Sequence, residues 1–252
     1  MEQSLTASEG MHRFASVGAV IKKIDVIDSA ADEASLMARL SETKNPLVVS
    51  FINQHIMNLA CRSPDFAACL IGSDVLLRDG IGIKLCLSAL ARRAGQNMCG
   101  TDFIPRIASA FSGRRTALFG TVEPWTSRAA SALEALGCQI VVEMDGFRPA
   151  SDYVAEAMRS APELIILAMG SPKQETVANA IAASVTYPTV IVSGGAIADN
   201  LALRFARAPS WVRRIHCEWA FRILLEPRRL WRRYLVGSFS FAWYVVRLRM
   251  VL

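Results

Sequence analysis

Glu163-Leu-Ile-Ile-Leu-Ala-Met169, followed by Gly170-Ser171-Pro172 and then Lys173-Gln174-Glu175, is the stretch whose reading decides the fold. An unbroken apolar run of this length is the pattern of a strand buried on both faces, which is how strands of parallel sheets read. Glycine ends the run. Ser171 before Pro172 is a helix-start signal, a hydroxyl cap followed by proline at the first helical position. The spacing predicts a helix over 173–183. The same strand-turn-helix unit recurs outward from this point. Downstream, 189–192 is a strand ending in Ser193-Gly194-Gly195; upstream, 139–142 is a strand before a helix over 151–159. Further upstream, 116–119 is a strand, Gly120-Thr121 a turn and 125–136 a helix. Residues 46–53 and 74–77 are two more strands, the first leading into a helix from 56 and the second through Asp79-Gly80-Ile81-Gly82 into a helix over 83–94. Residues 29–40 read as a helix behind a capping serine. Residues 17–26, rich in β-branched side chains, read as one or two short strands, and 1–15 as a loose arm. Repeated strand-turn-helix units predict an α/β, Rossmann-like, largely parallel sheet flanked by helices.

The charge divides this 252-residue chain in two. From Arg204 onward there are eleven arginines, no lysine and two acids (Glu218 and Glu226), formally +9; with +6 for the whole chain, residues 1–203 carry −3. Four of the five tryptophans, Trp211, Trp219, Trp231 and Trp243, lie in the same segment. The expected organisation is an α/β core over 1–203 and an Arg/Trp-rich helical appendage over 204–252, read as two helices broken at Pro227. Indole rings favour the headgroup boundary of a bilayer and guanidinium groups pair with phosphate, so this appendage is expected to dock on a membrane surface. A solvated face, packing on the core and nucleic-acid binding are the competing readings. The apolar run 234–246 falls short of the ~20 residues that cross a bilayer. The first fifteen residues lack the apolar segment of a secretory signal. Six cysteines without a C-x-x-C pair read as reduced core residues, and three scattered histidines suggest no metal cluster. A cytoplasmic, peripheral protein is the expectation.

Ligands of such sheets bind at the carboxyl ends of the strands. Gly120 and Gly170 each lead a strand into a helix, whose free N–H groups attract phosphate; each is also readable as simple turn chemistry. Asp79 follows an apolar strand and precedes Gly80 and Gly82, where a substrate can approach the backbone. A carboxylate so held can serve as general base; an Asp-Gly turn is the plainer reading. Asp102, after Gly100-Thr101, reads first as a helix cap and second as a pocket residue. Gln174 falls in the first turn of its helix. There is no Asp-x-Asp pair for a divalent ion, no G-x-G-x-x-G after a strand, no G-x-x-x-x-G-K-[ST] and no Gly-x-Ser-x-Gly.

Together these motifs resemble the bacterial WecG/TagA/CpsF glycosyltransferases, glycosyltransferase family 26. The most specific are Asp79-Gly80-Ile81-Gly82, Gly100-Thr101-Asp102, Gly170-Ser171-Pro172-Lys173-Gln174-Glu175, and a long stretch from Arg207-Ala208-Pro209-Ser210-Trp211 through Glu218-Trp219 and Arg222 to Glu226-Pro227-Arg228-Arg229. The resemblance implies inverting transfer from a UDP-sugar to a polyprenyl-diphosphate-linked sugar, with no metal and no cofactor. It assigns Asp79 as the base, Asn53 and Gln174 to the donor pocket, and Arg222, Arg229 and Arg232 to a tail that meets diphosphate groups. It also leaves room for a homo-oligomer. Phe51 stands where related sequences often have threonine, Asn97 where they often have arginine, and Leu203 where a glycine often follows the Gly195-Ala196-Ile197-Ala198-Asp199 stretch. Loss of polar groups there favours UDP-glucose and exopolysaccharide assembly over UDP-N-acetylmannosamine. A non-catalytic nucleotide-sugar or lipid-binding partner of such a pathway is the alternative.

Overall fold

Six apolar runs of the chain become six strands: β1 (Pro46–Ile52), β2 (Val75–Arg78), β3 (Arg115–Gly120), β4 (Gln139–Met144), β5 (Leu164–Ala168) and β6 (Thr189–Ser193). The structure is a computed structural model that describes residues 7–205, 209, 212, 221 and 237–251. The strands form one sheet in the order β2-β1-β6-β5-β3-β4, and every pairing is parallel. Every carboxyl end therefore opens on one edge. β1, β5 and β6 are buried almost throughout, whereas β4 at the sheet's edge is only half-buried. The Rossmann-like α/β expectation holds.

The helices sort by the strand faces they cover. On one face α2 (Ala30–Ser41), α6 (Gly100–Ala110), α7 (Trp125–Ala135) and α10 (Ile197–Leu201) pack Leu40, Phe103, Ile107, Leu133 and Ile197 against Val49, Leu118, Ile166 and Val192. On the other, α8 (Ala150–Ser160) and α9 (Lys173–Ser184) set Tyr153, Val177 and Ile181 against Phe119, Ile165 and Ile191. Beside them, α1 (Ala7–Lys23), α3 (Gln54–Arg62), α4 (Pro64–Ile71), α5 (Ile81–Ala89) and α11 (Gly237–Val251) share a cluster with Ile52 and Leu76. The alternation Ile165/Ile166 and Ile191/Val192 across the two faces is the period-2 pattern of a strand covered on both sides.

Three expectations need correction. Residues 17–26 are no strand: Val17, Val20, Ile21 and Ile24 are buried at helical spacing on α1 and its end, so periodicity overrides β-branched propensity. Only Asp25 reaches the sheet, as a single parallel bridge to Leu77. The loose arm is likewise helical from Ala7. The helix after β2 stops at Ala89 instead of reaching Ala94. Ala91 takes a left-handed φ of 53°, and the carbonyls of Ala94 and Gly95 turn to the Arg78 guanidinium. The tail helix break at Pro227 lies outside the described residues.

β3 and β5 are neighbours, yet α7 leaves β3 on one face and α9 leaves β5 on the other. Connections departing to opposite sides open a crevice at the carboxyl edge, the topological switch point of such sheets. Gly120 lies in that crevice, paired with Ala168, at a φ of 154°. A Cβ there would sit 2.2 Å from the Ala168 carbonyl oxygen, whereas one at Gly113 (φ 78°) would meet nothing within 4 Å. Gly120→Ala is therefore expected to cost about 3 kcal/mol or more by overpacking, and Gly113→Ala about 1 kcal/mol from backbone strain alone. Urea denaturation of the two variants side by side measures the difference.

Candidate active site

The carboxyl edge gathers most of the residues singled out from the sequence. Asp79 follows β2, Asn53 follows β1, Gly194 and Gly195 follow β6, Gly170 and Gln174 follow β5, and Gly120 ends β3. Asp79 is half-buried. Its N–H donates to the Ile52 carbonyl (2.9 Å), extending the β1–β2 ladder by one residue. Gly80 then turns the chain with a φ of 89° and becomes the N-cap of α5. Asn53 is itself the N-cap of α3: its Oδ1 accepts from the N–H groups of His55 (3.0 Å) and Ile56 (3.1 Å). Its oxygen is committed to the helix, which leaves the Nδ2 donor for other partners.

Gln174 is 2% exposed and acts as a clip between two strands. Its Oε1 accepts from the N–H of Gly170 (3.2 Å) and of Gly195 (2.8 Å), tying the turn after β5 to the turn after β6. Its Nε2 donates to Glu175 Oε1 (3.0 Å). Ser171 does not cap α9, contrary to the sequence reading; its hydroxyl donates to the same Glu175 oxygen (2.6 Å), and Pro172 holds the cap position. A buried carboxylate competes successfully for that hydroxyl. The Gly170 N–H is thus engaged internally.

Asp102 is not the cap of α6 either. Cys99 holds that position and Asp102 lies exposed in the first turn, where its charge complements the helix N-terminus. Phe51 is buried in the core, its ring 3.6 Å from where a Cβ on Gly100 would be, so it packs under α6 and does not line the edge. Arg222, Arg229 and Arg232 lie outside the described residues.

Sequence reading missed three groups at this edge. Arg78, 4% exposed beneath Asp79, donates to the carbonyls of Ala94 (2.8 Å), Gly80 (3.0 Å) and Gly95 (2.9 Å). Burial lowers its pKa and the neighbouring Asp79 opposes that shift. Thr121 donates to Asp199 Oδ1 (2.7 Å), which also pairs with Arg204 (3.0 Å), joining the ends of β3 and α10. The turn after β4 carries Phe147, 77% exposed, with Lys173 Nζ donating to the carbonyls of Gly146 (2.9 Å) and Arg148 (2.6 Å). These partners are distant in sequence, and only the Asp145-Gly146 turn pair had a local signal. A shallow cleft of about 550 Å3 between α7 and α10, lined by Pro124, Arg128, Leu201 and Leu203 among others, contains Leu203 of the sequence departures but none of the candidate catalytic or donor-binding residues. The chemistry is assigned to the strand ends, where the carboxylate and the glycine turns are.

Glu175 is 1% exposed, and burial raises its pKa above the ordinary 4.5 against the pull of the Ser171 and Gln174 hydrogen bonds. A raised folded-state value stabilises the fold fully below the unfolded value, and that contribution is lost as pH rises through the folded one. Glu175→Gln should therefore gain on wild type in denaturation midpoint between pH 4 and pH 8; a constant difference across that range would show that Glu175 does not titrate there.

The comparisons with known proteins give the family. The N-acetylglucosaminyldiphosphoundecaprenol N-acetyl-beta-D-mannosaminyltransferase of Bacillus subtilis (strain 168) is 26% identical over 195 residues, 75% of each chain. A protein of the same name from Bacillus spizizenii (strain ATCC 23059 / NRRL B-14472 / W23) is 25% identical over 225 residues, 85% of this chain and 86% of its own. The family model of the glycosyl transferase WecG/TagA/CpsF family matches residues 19–252. A match over nearly the whole chain, carried by a parallel sheet with these strand ends, means that the protein belongs to the WecG/TagA/CpsF family of glycosyltransferases.

Proposed function

We propose that this glycosyltransferase moves a hexose from a UDP-sugar to a sugar carried on a polyprenyl diphosphate, at the cytoplasmic face of a bacterial plasma membrane, in cell-surface polysaccharide synthesis. The observation that carries the reading is Asp79 at the carboxyl edge, on a glycine turn that leaves the backbone open, in a chain whose relatives are named for this kind of transfer. Asp79 takes the proton of the acceptor hydroxyl as its oxygen bonds to the anomeric carbon. The bond to the UDP oxygen breaks on the opposite face, inverting the centre, and the electron pair leaves with UDP. Asn53, Gly120, Gly170, Gln174 and Asp102 surround the donor, and Gln174 acts there by fixing two glycine turns. Because Gly170 and Gly195 N–H groups are already engaged, the developing diphosphate charge falls to Arg222, Arg229 and Arg232, which take the place of a divalent ion.

N-acetylmannosamine is the first donor sugar, because both Bacillus relatives are named for its transfer. Glucose is the second candidate. Transfer from a panel of UDP-sugars to a polyprenyl-diphosphate monosaccharide, with EDTA present, identifies the donor. Asp79→Asn is expected to lower kcat about 1000-fold. No transfer from any donor by folded wild type would favour the non-catalytic binding partner.

The membrane part of the reading is supported by α11. Phe239, Trp243, Val246 and Met250 are exposed at i, i+4, i+7 and i+11, an apolar stripe along one side of the helix. The opposite side, with Phe241 and Leu248, is buried. The Arg247 guanidinium lies 5.2 Å over the Trp243 ring. No helix among the described residues is long and apolar enough to cross a membrane. Co-sedimentation with vesicles of 30% anionic lipid should fall about tenfold or more for Phe239→Ser/Trp243→Ser, since each large side chain contributes about 1.5–3 kcal/mol when buried. Unchanged binding would reject α11 as the docking face.

A further inference from the structure

The turn that carries Asp79 is held by a side chain from outside the strands. Gly80 N–H donates to Asn97 Oδ1 at 2.6 Å, and the Gly80 carbonyl accepts from Arg78 Nη1 at 3.0 Å. Both polar groups of this glycine are therefore fixed, while the Asp79 N–H is fixed to Ile52. Arg78 in turn holds the loop that delivers Asn97, through the carbonyls of Ala94 and Gly95, and reaches Asn97 Oδ1 at 3.4 Å. The Met98 N–H closes the ring on the Arg78 carbonyl at 2.9 Å. Asn97 Oδ1 is the side-chain acceptor in this network; the other acceptors are backbone carbonyls.

We infer that Asn97 is a positioning residue for Asp79, holding the peptide between Asp79 and Gly80 so that the carboxylate keeps its aim; the inference rests on the reading of Asp79 as the base. That peptide sets the ψ angle of Asp79 and so the direction of its Cα–Cβ bond. A Cβ built on Gly80 would meet nothing within 4 Å. Packing does not hold the turn on that side, and the Asn97 bond does. A carboxylate displaced by ~1 Å loses about two orders of magnitude in rate. Arginine at this position would have no acceptor and could not replace the bond. Here the cation lies one shell deeper, at Arg78, and the rim residue supplies the oxygen.

The test is steady-state transfer with saturating acceptor by Asn97→Ala, Asn97→Arg and Asn97→Asp, with thermal melting of each. Asn97 is exposed, so its truncation opens no core cavity. The expected result is a kcat about 10- to 100-fold lower for Asn97→Ala and Asn97→Arg, with donor KM within about twofold of wild type and melting unchanged. Asn97→Asp, which keeps an oxygen at the same reach, should stay within about fivefold of wild type. In an Asp79→Asn background, Asn97→Ala should lower the residual rate no further, because it acts through Asp79. Wild-type kcat in Asn97→Ala, equal damage in Asn97→Asp, a gain in Asn97→Arg, or full additivity with Asp79→Asn would each overturn the inference. Retained activity in Asp79→Asn alone would instead overturn the assignment of the base, a separate result read from a separate variant.

Discussion

The all-parallel sheet is the constraint from which the rest follows. A strand covered on both faces has no solvent to satisfy its backbone, so each N–H and C=O must bond to a neighbouring strand. Parallel neighbours then require a crossover at every step, and right-handed crossovers send the helices to one face or the other according to the direction of travel. β3 and β5 lie side by side with connections to opposite faces, and so do β1 and β6, so the layers separate at those shared carboxyl ends. Every loop with chemical content is delivered to that edge by the same rule.

At the edge itself, the backbone groups of the glycine turns are bonded from within before any substrate arrives, while Glu175 Oε2 and Ser193 Oγ are buried with no hydrogen-bond partner among the described residues. Gln174 occupies the amides of Gly170 and Gly195, and Arg78 occupies three carbonyls around the Asp79 turn. This makes the edge rigid, and it also removes backbone donors that an anion could use. A site built this way relies on side chains brought from elsewhere to meet charge. In the proposed function, labour is divided between a floor of bonded turns that aims Asp79 and the arginine-rich segment that answers the charge of the substrate.

The sheet was legible because five-residue runs of valine, isoleucine and leucine between turn residues have few alternatives. The first helix was misread for the opposite reason. Val17, Val20, Ile21 and Ile24 have strand-forming side chains, and only their spacing shows that one face is buried. Asp79, Asn53, Gly120 and Gly170 could be found because each closes an apolar run. The partners of those residues could not. The two amides clipped by Gln174 are 25 residues apart in the chain, Arg78 is served mainly by backbone carbonyls, and Thr121 meets Asp199 across 78 residues. The serine before proline was a sound local signal for a cap, and a buried carboxylate four residues on outcompeted it.

The seating of α11 has a consequence for synthesis of the chain. Ser238 bonds to Gln54 across 184 residues and the Gly237 carbonyl to Asn58 across 179, while Phe241 and Leu248 fill the cluster begun by α1, α3 and α4. α1, α3 and α4 thus wait for α11, far downstream in the chain, before their shared apolar face is covered. Contacts of such sequence separation form late, after the entropy of closing the intervening chain has been overcome. Until α11 has been made and has docked, the nascent protein exposes the α1–α3–α4 face, a surface for chaperones or for another hydrophobic interface to occupy in the meantime.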